Sequence, residues 1–239
     1  MKQGVFTTVV LIVAFVAAYF IYLNLPKFIK DGGPLVISLI ALLIMVVTFI
    51  FERIFSLRKA QGKGSLPVFL NKVQREINAG NIQSAIELCD KQRGSCANII
   101  RIGLERYQSL KEAGKTKEQE DVMKEVQTAI EQATMLEVPL LEKNLVALST
   151  IASIATMVGL LGTTIGMIRA FAAMAHAGAP DAIQLALGIS EALINTAGGL
   201  SAAIVGIVAY NFFTTKVDNF TYMIDEASYS IVQSLALKK

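Results

Sequence analysis

The sequence is poor in the side chains that most enzymes rely on. It has one histidine, His176, and two cysteines, Cys89 and Cys96. One imidazole with no plausible partner set excludes Ser-His-Asp chemistry and a multi-histidine metal centre. The two cysteines make no zinc site, and they stay reduced if their half of the chain is cytoplasmic. Charge is scarce too, at 17% of residues, and a net charge of +3 with basic residues mixed among acidic ones leaves no basic stripe for nucleic acid. The expectation is therefore a protein that is not an enzyme, with no metal, no cofactor and no nucleic-acid partner.

Apolar residues are abundant instead. They make up 54% of the 239 residues, and the mean hydropathy is +0.54, too oily for a soluble chain of this length. The ionisable residues are unevenly spread, with 15 basic and 13 acidic side chains in residues 52–143 and only three charged residues in 144–215. One chain thus holds a lipid-facing half and a watery half.

About 20 apolar residues cross the roughly 30 Å of hydrocarbon in a bilayer, because backbone amides in lipid must be paired within their own helix. Four stretches meet that length or approach it: Val5 to Leu25, Leu35 to Phe51, Leu145 to Ala175 and Ala182 to Phe213. Asn24, Pro26 and Asp31-Gly32-Gly33-Pro34 break the chain between the first two. The fold class expected is an all-α membrane protein of two transmembrane hairpins, with a helical cytoplasmic region and long helices extending from the membrane. Its divisions are an N-terminal hairpin (1–51), a cytoplasmic region (52–143), a C-terminal hairpin (144–215) and a C-terminal cytoplasmic helix (216–239).

Lysine and arginine near the span ends set the orientation. Arg53, Arg58, Lys59 and Lys63 follow the second span, and Lys143 precedes the third, so residues 52–143 are placed in the cytoplasm. The loop from Ala175 to Asp181 lacks Lys and Arg and faces outward with His176, while Lys216, Lys238 and Lys239 keep the C-terminus inside. Lys27 and Lys30 on the outer side dissent. A second reading of the first stretch is a cleaved signal peptide, with Val16-Ala17-Ala18 as the cleavage site; this changes nothing after residue 35.

In the charged half, Ser65-Leu66-Pro67 reads as a helix start, with Val68, Phe69, Val73 and Ile77 as its apolar face and Ala79-Gly80-Asn81 as its end. A second helix runs from Asn81 or Ile82 to near Gly94, and Ile99, Ile100, Gly103, Leu104 and Tyr107 mark a third. Ser109 to Gln119, with Gly114, reads as a mobile connection. From Glu120, the series Val122, Val126, Ala129, Ile130, Ala133, Leu136 and Leu140 is helical again and leads to the third span, with Pro139 as the candidate kink.

The polar residues that lipid should reject carry the most information. Ser149, Thr156 and Thr163 recur every seventh residue and so lie on one face of the third span. Gly159, Gly162, Gly166 and Ala170, with Gly188, Ala192, Gly198, Ala202 and Gly206 on the fourth span, are small residues that allow close helix packing. A carboxylate in hydrocarbon costs roughly 2.5–3.5 kcal/mol, which makes Glu191 a candidate pathway residue. Counted from the outer turn, Glu191, Thr163 and Thr196 fall within about 7.5 Å of depth, enough to line one layer. Asn195 shares a face with Glu191 and can hydrogen-bond to it. The alternatives are that Glu191 is a paired interhelical clamp and that the hydroxyls bond back to their own helix; Arg169 is expected to snorkel to the outer headgroups, with reaching toward Glu191 as the second reading.

Two segments also carry a resemblance. Gly159-Leu160-Leu161-Gly162-Thr163-Thr164-Ile165-Gly166-Met167 with Ala170-Phe171, and Gly188-Ile189-Ser190-Glu191-Ala192-Leu193-Ile194-Asn195-Thr196-Ala197-Gly198-Gly199-Leu200, resemble the ExbB/TolQ/MotA proton-channel family in its ExbB-like form. The resemblance implies an ion-driven subunit of the bacterial inner membrane. It implies a homopentameric ring around a single-span ExbD- or TolR-like partner, with a TonB-like protein as a further partner, that uses a proton or sodium gradient to power work at the periplasm or outer membrane. It implies that Thr163 and Thr196 line the inner pore and that Glu191 is the membrane glutamate of the last helix. Thr156 and Val205 stand where many relatives have proline. The extra first span is similar to a four-span stator layout, so a motor for gliding, secretion or flagella is the nearest alternative, and a non-conducting scaffold is the alternative from another class.

Overall fold

The computed structural model describes residues 2–113, 119–175 and 182–236. Its described residues form helices without strands: α1 (Lys2–Asn24), α2 (Lys27–Lys30), α3 (Leu35–Gln61), α4 (Leu66–Ala79), α5 (Ile82–Gln92), α6 (Ser95–Glu112), α7 (Gln119–Glu142), α8 (Leu145–Ala175) and α9 (Ala182–Ala236). Of these, α1, α3, α8 and α9 contain stretches long and apolar enough to cross a membrane. The expected all-α class with four candidate spans is what the chain adopts. The outer loop containing His176, and Lys238 and Lys239, lie outside the described residues. The chain divides into two compact units, Met1–Glu52 with Asn144–Phe213, and Arg53–Lys143 with Thr214–Lys239.

The first unit is held by small residues. Gly159, Gly162, Gly166 and Ala170 of α8 are buried, and a side chain added at Gly166 would lie 2.7 Å from the Ala192 nitrogen and the Gly188 carbonyl oxygen of α9. Gly188 in turn approaches Ala170, and Gly199 lies against Gly159 and the Ala155 carbonyl. Two backbones meet this closely only where Cβ atoms are missing or small. Gly198, read from sequence as part of this seam, instead faces Leu39 of α3, and the neighbouring Gly199 takes the α8 position. Ala155, Ala202 and Ala203 form a buried cluster with Leu42 against it. The first helix buries Ala14 and Ala18, four residues apart, and leaves bulky residues such as Val9, Phe15 and Phe20 outside. Between α1 and α3, the turn read from sequence as a plain break contains the single helical turn α2, which starts immediately after Pro26.

The second unit is packed by larger side chains. Leu66, Phe69, Val73 and Ile77 of α4 are buried, each stabilising by roughly 1.5–3 kcal/mol relative to exposure. Val68, expected on that face, is exposed. Gly80 ends α4 at φ 95°, and the Asn81 N–H reaches back to the Glu76 carbonyl at 2.9 Å, a stop that glycine makes without strain. Ile99, Ile100, Gly103, Leu104 and Tyr107 of α6 are all buried. On α7, Val126, Ile130, Ala133 and Leu141 are buried, whereas Leu136 (74% exposed) and Leu140 are not.

Two boundaries differ from expectation. The helix α6 continues through Ser109 to Glu112, so part of the expected connection is helical, and Gly114 lies outside the described residues. The helix α7 passes Pro139 unbroken to Glu142. The chain breaks instead at Lys143–Asn144, where Asn144 has φ 65°; asparagine tolerates that left-handed conformation better than most residues. The segment expected as a separate C-terminal helix is the far part of α9, whose Val217, Phe220, Ile224, Ala227, Ile231 and Leu235 are buried at spacings of three and four.

Candidate functional site

Thr163 lies on α8 and Thr196 on α9, 33 residues apart, and their hydroxyls are in hydrogen-bond contact. Both are half-buried. Each hydroxyl also has a carbonyl of its own helix within reach: Gly159 at 3.3 Å from Thr163, and Ala192 at 3.0 Å from Thr196. A hydroxyl has one proton, which leaves two arrangements. In one, Thr163 donates to Thr196 and Thr196 donates to Ala192. In the other, Thr196 donates to Thr163 and Thr163 donates to Gly159. Exchange between them reverses the direction of a short hydrogen-bond chain without leaving a proton unplaced.

The glycine seam makes this contact possible. At Gly159 and Gly166 of α8, one turn to either side of Thr163, a Cβ would lie 3.1 and 2.7 Å from backbone atoms of α9. Thr156, one repeat along the α8 stripe, donates back to the Ala152 carbonyl at 3.4 Å, the local bond that hydroxyls on helices commonly make. Ser149 is half-buried at the next repeat.

Glu191 lies on a different side of α9. Five residues at 3.6 per turn separate it from Thr196 by about 140° of rotation, so comparable depth does not bring them together. Its carboxylate is buried, with the residue 6% exposed. Arg169 of α8 donates to both of its oxygens, at 2.5 and 2.7 Å. Arg169 therefore reaches Glu191 and does not snorkel as expected from the sequence, because the buried carboxylate offers it an opposite charge. The Arg169 side chain is 55% exposed, against 8% for that of Glu191.

Asn195 is fully buried. Its side-chain amide donates to the Gly32 carbonyl at 2.8 Å and to the Glu191 backbone carbonyl at 3.0 Å, not to the Glu191 carboxylate. Its Oδ1 has no hydrogen-bond partner among the described residues. Gly33, at φ 74°, closes over the ion pair, since a Cβ there would lie 2.7 Å from Glu191 Oε1.

The residues that sequence reasoning passed over are Gly32 and Gly33, treated only as a turn, while Arg169 as a partner was the less favoured of two readings. A signal for Arg169 was present. It and Glu191 are the sole opposite charges within the described parts of the two long apolar stretches, about four residues or 6 Å apart in depth, and an uncompensated carboxylate at that level is costly.

Apolar helices of spanning length, a glycine seam and polar side chains kept among them define a multi-pass helical membrane protein. Residues 92–226, more than half of the chain, match the MotA/TolQ/ExbB proton channel family, and the chain belongs to that family. It is 35% identical to the Tol-Pal system protein TolQ of Haemophilus influenzae over 120 residues, 50% of this chain and 52% of that one. Biopolymer transport protein ExbB of Pseudomonas putida is 27% identical over 154 residues, 64% of this chain and 46% of its own length. TolQ of Pseudomonas aeruginosa is 29% identical over 191 residues, 78% of this chain and 81% of that protein. The chain thus spans about half the length of the first two relatives and most of the third.

Proposed function

We propose that this chain is the channel-forming subunit of an ion-driven machine in the bacterial inner membrane. It assembles as a homo-oligomer, a pentamer by analogy with its relatives, around the single span of an ExbD- or TolR-like subunit. The machine converts a proton or sodium gradient into work at the periplasm or outer membrane, TonB-dependent transport being one such process. Residues 52–143 and the C-terminus face the cytoplasm in this reading, as their lysine and arginine content favours.

The observation that carries the proposal is the contact between the Thr163 and Thr196 hydroxyls across α8 and α9. Two hydroxyls able to reverse their donor direction can hand a proton along or coordinate a cation, but neither holds charge at neutral pH. The acid of the described spans, Glu191, is already paired with Arg169. That pairing favours a division of labour in which a titratable carboxylate comes from the partner and Glu191 holds α8 and α9 in the geometry the hydroxyls need. Each charge crossing 100 mV yields about 2.3 kcal/mol, so several crossings must be coupled to one mechanical step.

The test is Thr163→Val with Thr196→Val in the complex reconstituted with its partner. Ion-dependent work should be lost while the mass of the intact complex stays the same; full activity in the double variant refutes the pathway. Glu191→Gln separates the two roles of that residue: a shifted pH dependence with normal assembly makes it part of the pathway, and failed assembly makes it a clamp. The four candidate spans favour one further reading, a stator-type motor for gliding, secretion or flagella. A cell-wall-binding fold in the partner's periplasmic domain would select that reading. A chain that assembles alone and binds no single-span helix would be a scaffold.

A further inference from the structure

We infer that a cavity in the second unit binds a phosphate-bearing anion, a function separate from the ion pathway. The cavity has a volume of about 980 Å³ and is lined by Lys59, Lys63, Arg93, Ser95 and Arg101, with Asp90 and Glu137 as its acids. It forms where the segment after α3 crosses the turn between α5 and α6. Lys63 donates its backbone N–H to the Gln92 carbonyl at 2.7 Å. Gly62 (φ 77°) leaves no room for a Cβ against the Arg93 carbonyl, and a Cβ at Gly94 (φ 126°) would lie 2.5 Å from the Ala60 carbonyl. The crossing is therefore fixed by backbone contact, which sets where the chain carrying Lys59, Lys63 and Arg93 passes.

The charges in the cavity do not cancel. Arg101 lies 3.7 Å from Asp90 and 2.6 Å from Glu105, and Glu137 accepts a bond from the Asn98 amide at 2.6 Å. Glu137 keeps its charge, since its partner is a neutral amide, so the four cations and two acids of the lining leave a net charge of +2. Lys59, Lys63 and Arg93 have no ion pair and no side-chain hydrogen bond among the described residues, so the excess positive charge of the lining lies on these three side chains.

Ser95 supplies a second, independent sign of a ligand. It is only 8% exposed, it lines the cavity, and its hydroxyl has no hydrogen-bond partner among the described residues. It is also the first residue of α6, an 18-residue helix whose N-cap position is Gly94 and which has no side-chain cap. The positive end of its dipole lies at the cavity, which Gly94, Ser95 and Asn98 line. A helix N-terminus, the unpartnered hydroxyl of a largely buried serine and an excess of cations are what a phosphate, with up to two charges and several acceptor oxygens, satisfies together. A lipid headgroup and a soluble phosphate share this chemistry. Lys59 and Lys63 follow the second apolar stretch by eight and twelve residues, within reach of either.

The test uses the full-length protein in phosphatidylcholine nanodiscs. Inorganic phosphate is titrated calorimetrically, and in a second arm phosphatidylglycerol is added to the discs and its retention is read by native mass spectrometry. Saturable phosphate binding identifies a soluble ligand, and selective retention of phosphatidylglycerol identifies a headgroup. In whichever arm binds, Lys59→Gln with Lys63→Gln should weaken affinity at least about tenfold, the loss of one charge-assisted hydrogen bond or more. Arg93→Gly, which removes a cation and relaxes a φ of 52°, gives the same readout should the lysine variant fail to fold. If the native protein binds neither probe, or the variants bind as tightly as the native protein, the assignment is overturned.

Discussion

Where α8 meets α9, the nearest atoms to Gly166 and Gly199 are backbone; where α6 meets α7, the nearest atom to Gly103 is the Ile130 side chain, 2.6 Å from where a Cβ would sit. The two units use the same residue type for different ends. In lipid, burying one apolar side chain against another gains little over burying it in acyl chains, so the first unit brings backbones together and makes its remaining polar contacts specific. In water, exclusion of apolar surface is the main driving force, and the second unit fills its interior with Phe69, Ile77, Leu104 and Ile224. The lesson is that the paired hydroxyls and the ion pair occur in the unit where helices are closest and where a misplaced polar group is least tolerated.

The sharpest way to break this contrast is a matched pair of substitutions. Gly166→Ala places a methyl group 2.7 Å from backbone atoms of α9 that cannot move independently, and it should cost about 3 kcal/mol. Gly103→Ala meets the side chain of the buried, β-branched Ile130, which can give way only in part, and the roughly 1 kcal/mol gained in helix propensity should leave a smaller net loss than at Gly166. Thermal unfolding of the purified full-length variants measures both, and equal losses would erase the distinction.

Next in size is the ion pair. Arg169→Ala leaves the buried Glu191 carboxylate without its partner, at about 2–3 kcal/mol, below the 3–5 of a fully buried pair because the arginine is half open to its surroundings. Adding Glu191→Gln should recover most of that loss, and a double-mutant cycle showing no coupling would mean that the contact contributes nothing. A smaller effect is expected for Gly33→Ala. Its left-handed φ alone costs about 1–2 kcal/mol in any other residue, and the new methyl group should displace Glu191, so its effect should shrink when Glu191→Gln is already present.

The last effect belongs to the second unit and is absent near neutral pH. Burial pushes the Cys89 thiol from 9.0 up to about 12, with Cys96 and Asp90 adding to the shift, and burial does the same to Cys96. A folded-state value above the unfolded one gives stability that is fully present below pH 9 and is lost as pH rises toward about 12. The native protein should therefore lose more stability over that window than a Cys89→Ala, Cys96→Ala variant. At pH 8 both thiols should resist alkylation until the protein unfolds.

Much of this was legible beforehand, for identifiable reasons. Runs of apolar residues gave the spans because length and hydropathy alone decide what crosses a bilayer. Gly80 and Asn81 marked a helix end because a left-handed position favours glycine. Thr163 and Thr196 were singled out by being polar where lipid should exclude them and by the motifs around them. The shared layer with Glu191 was not resolved correctly at that level, since depth along two helices says nothing of rotation. Pro139 is the most obvious helix breaker in its region, yet the break falls at Asn144, because proline near a helix end can be carried through while a left-handed residue cannot.

The order of the amino acids by itself determined that the chain is helical, that four of its stretches suit a membrane, and which hydroxyls and carboxylate are out of place there. These are properties of composition and period, readable one segment at a time. Only the tertiary structure decided that Thr163 and Thr196 touch, that Glu191 belongs to Arg169 beneath Gly33, and that three cations and Ser95 share one cavity. Each of those depends on the rotation of one helix against another, which is set by side-chain contacts between segments far apart in the chain.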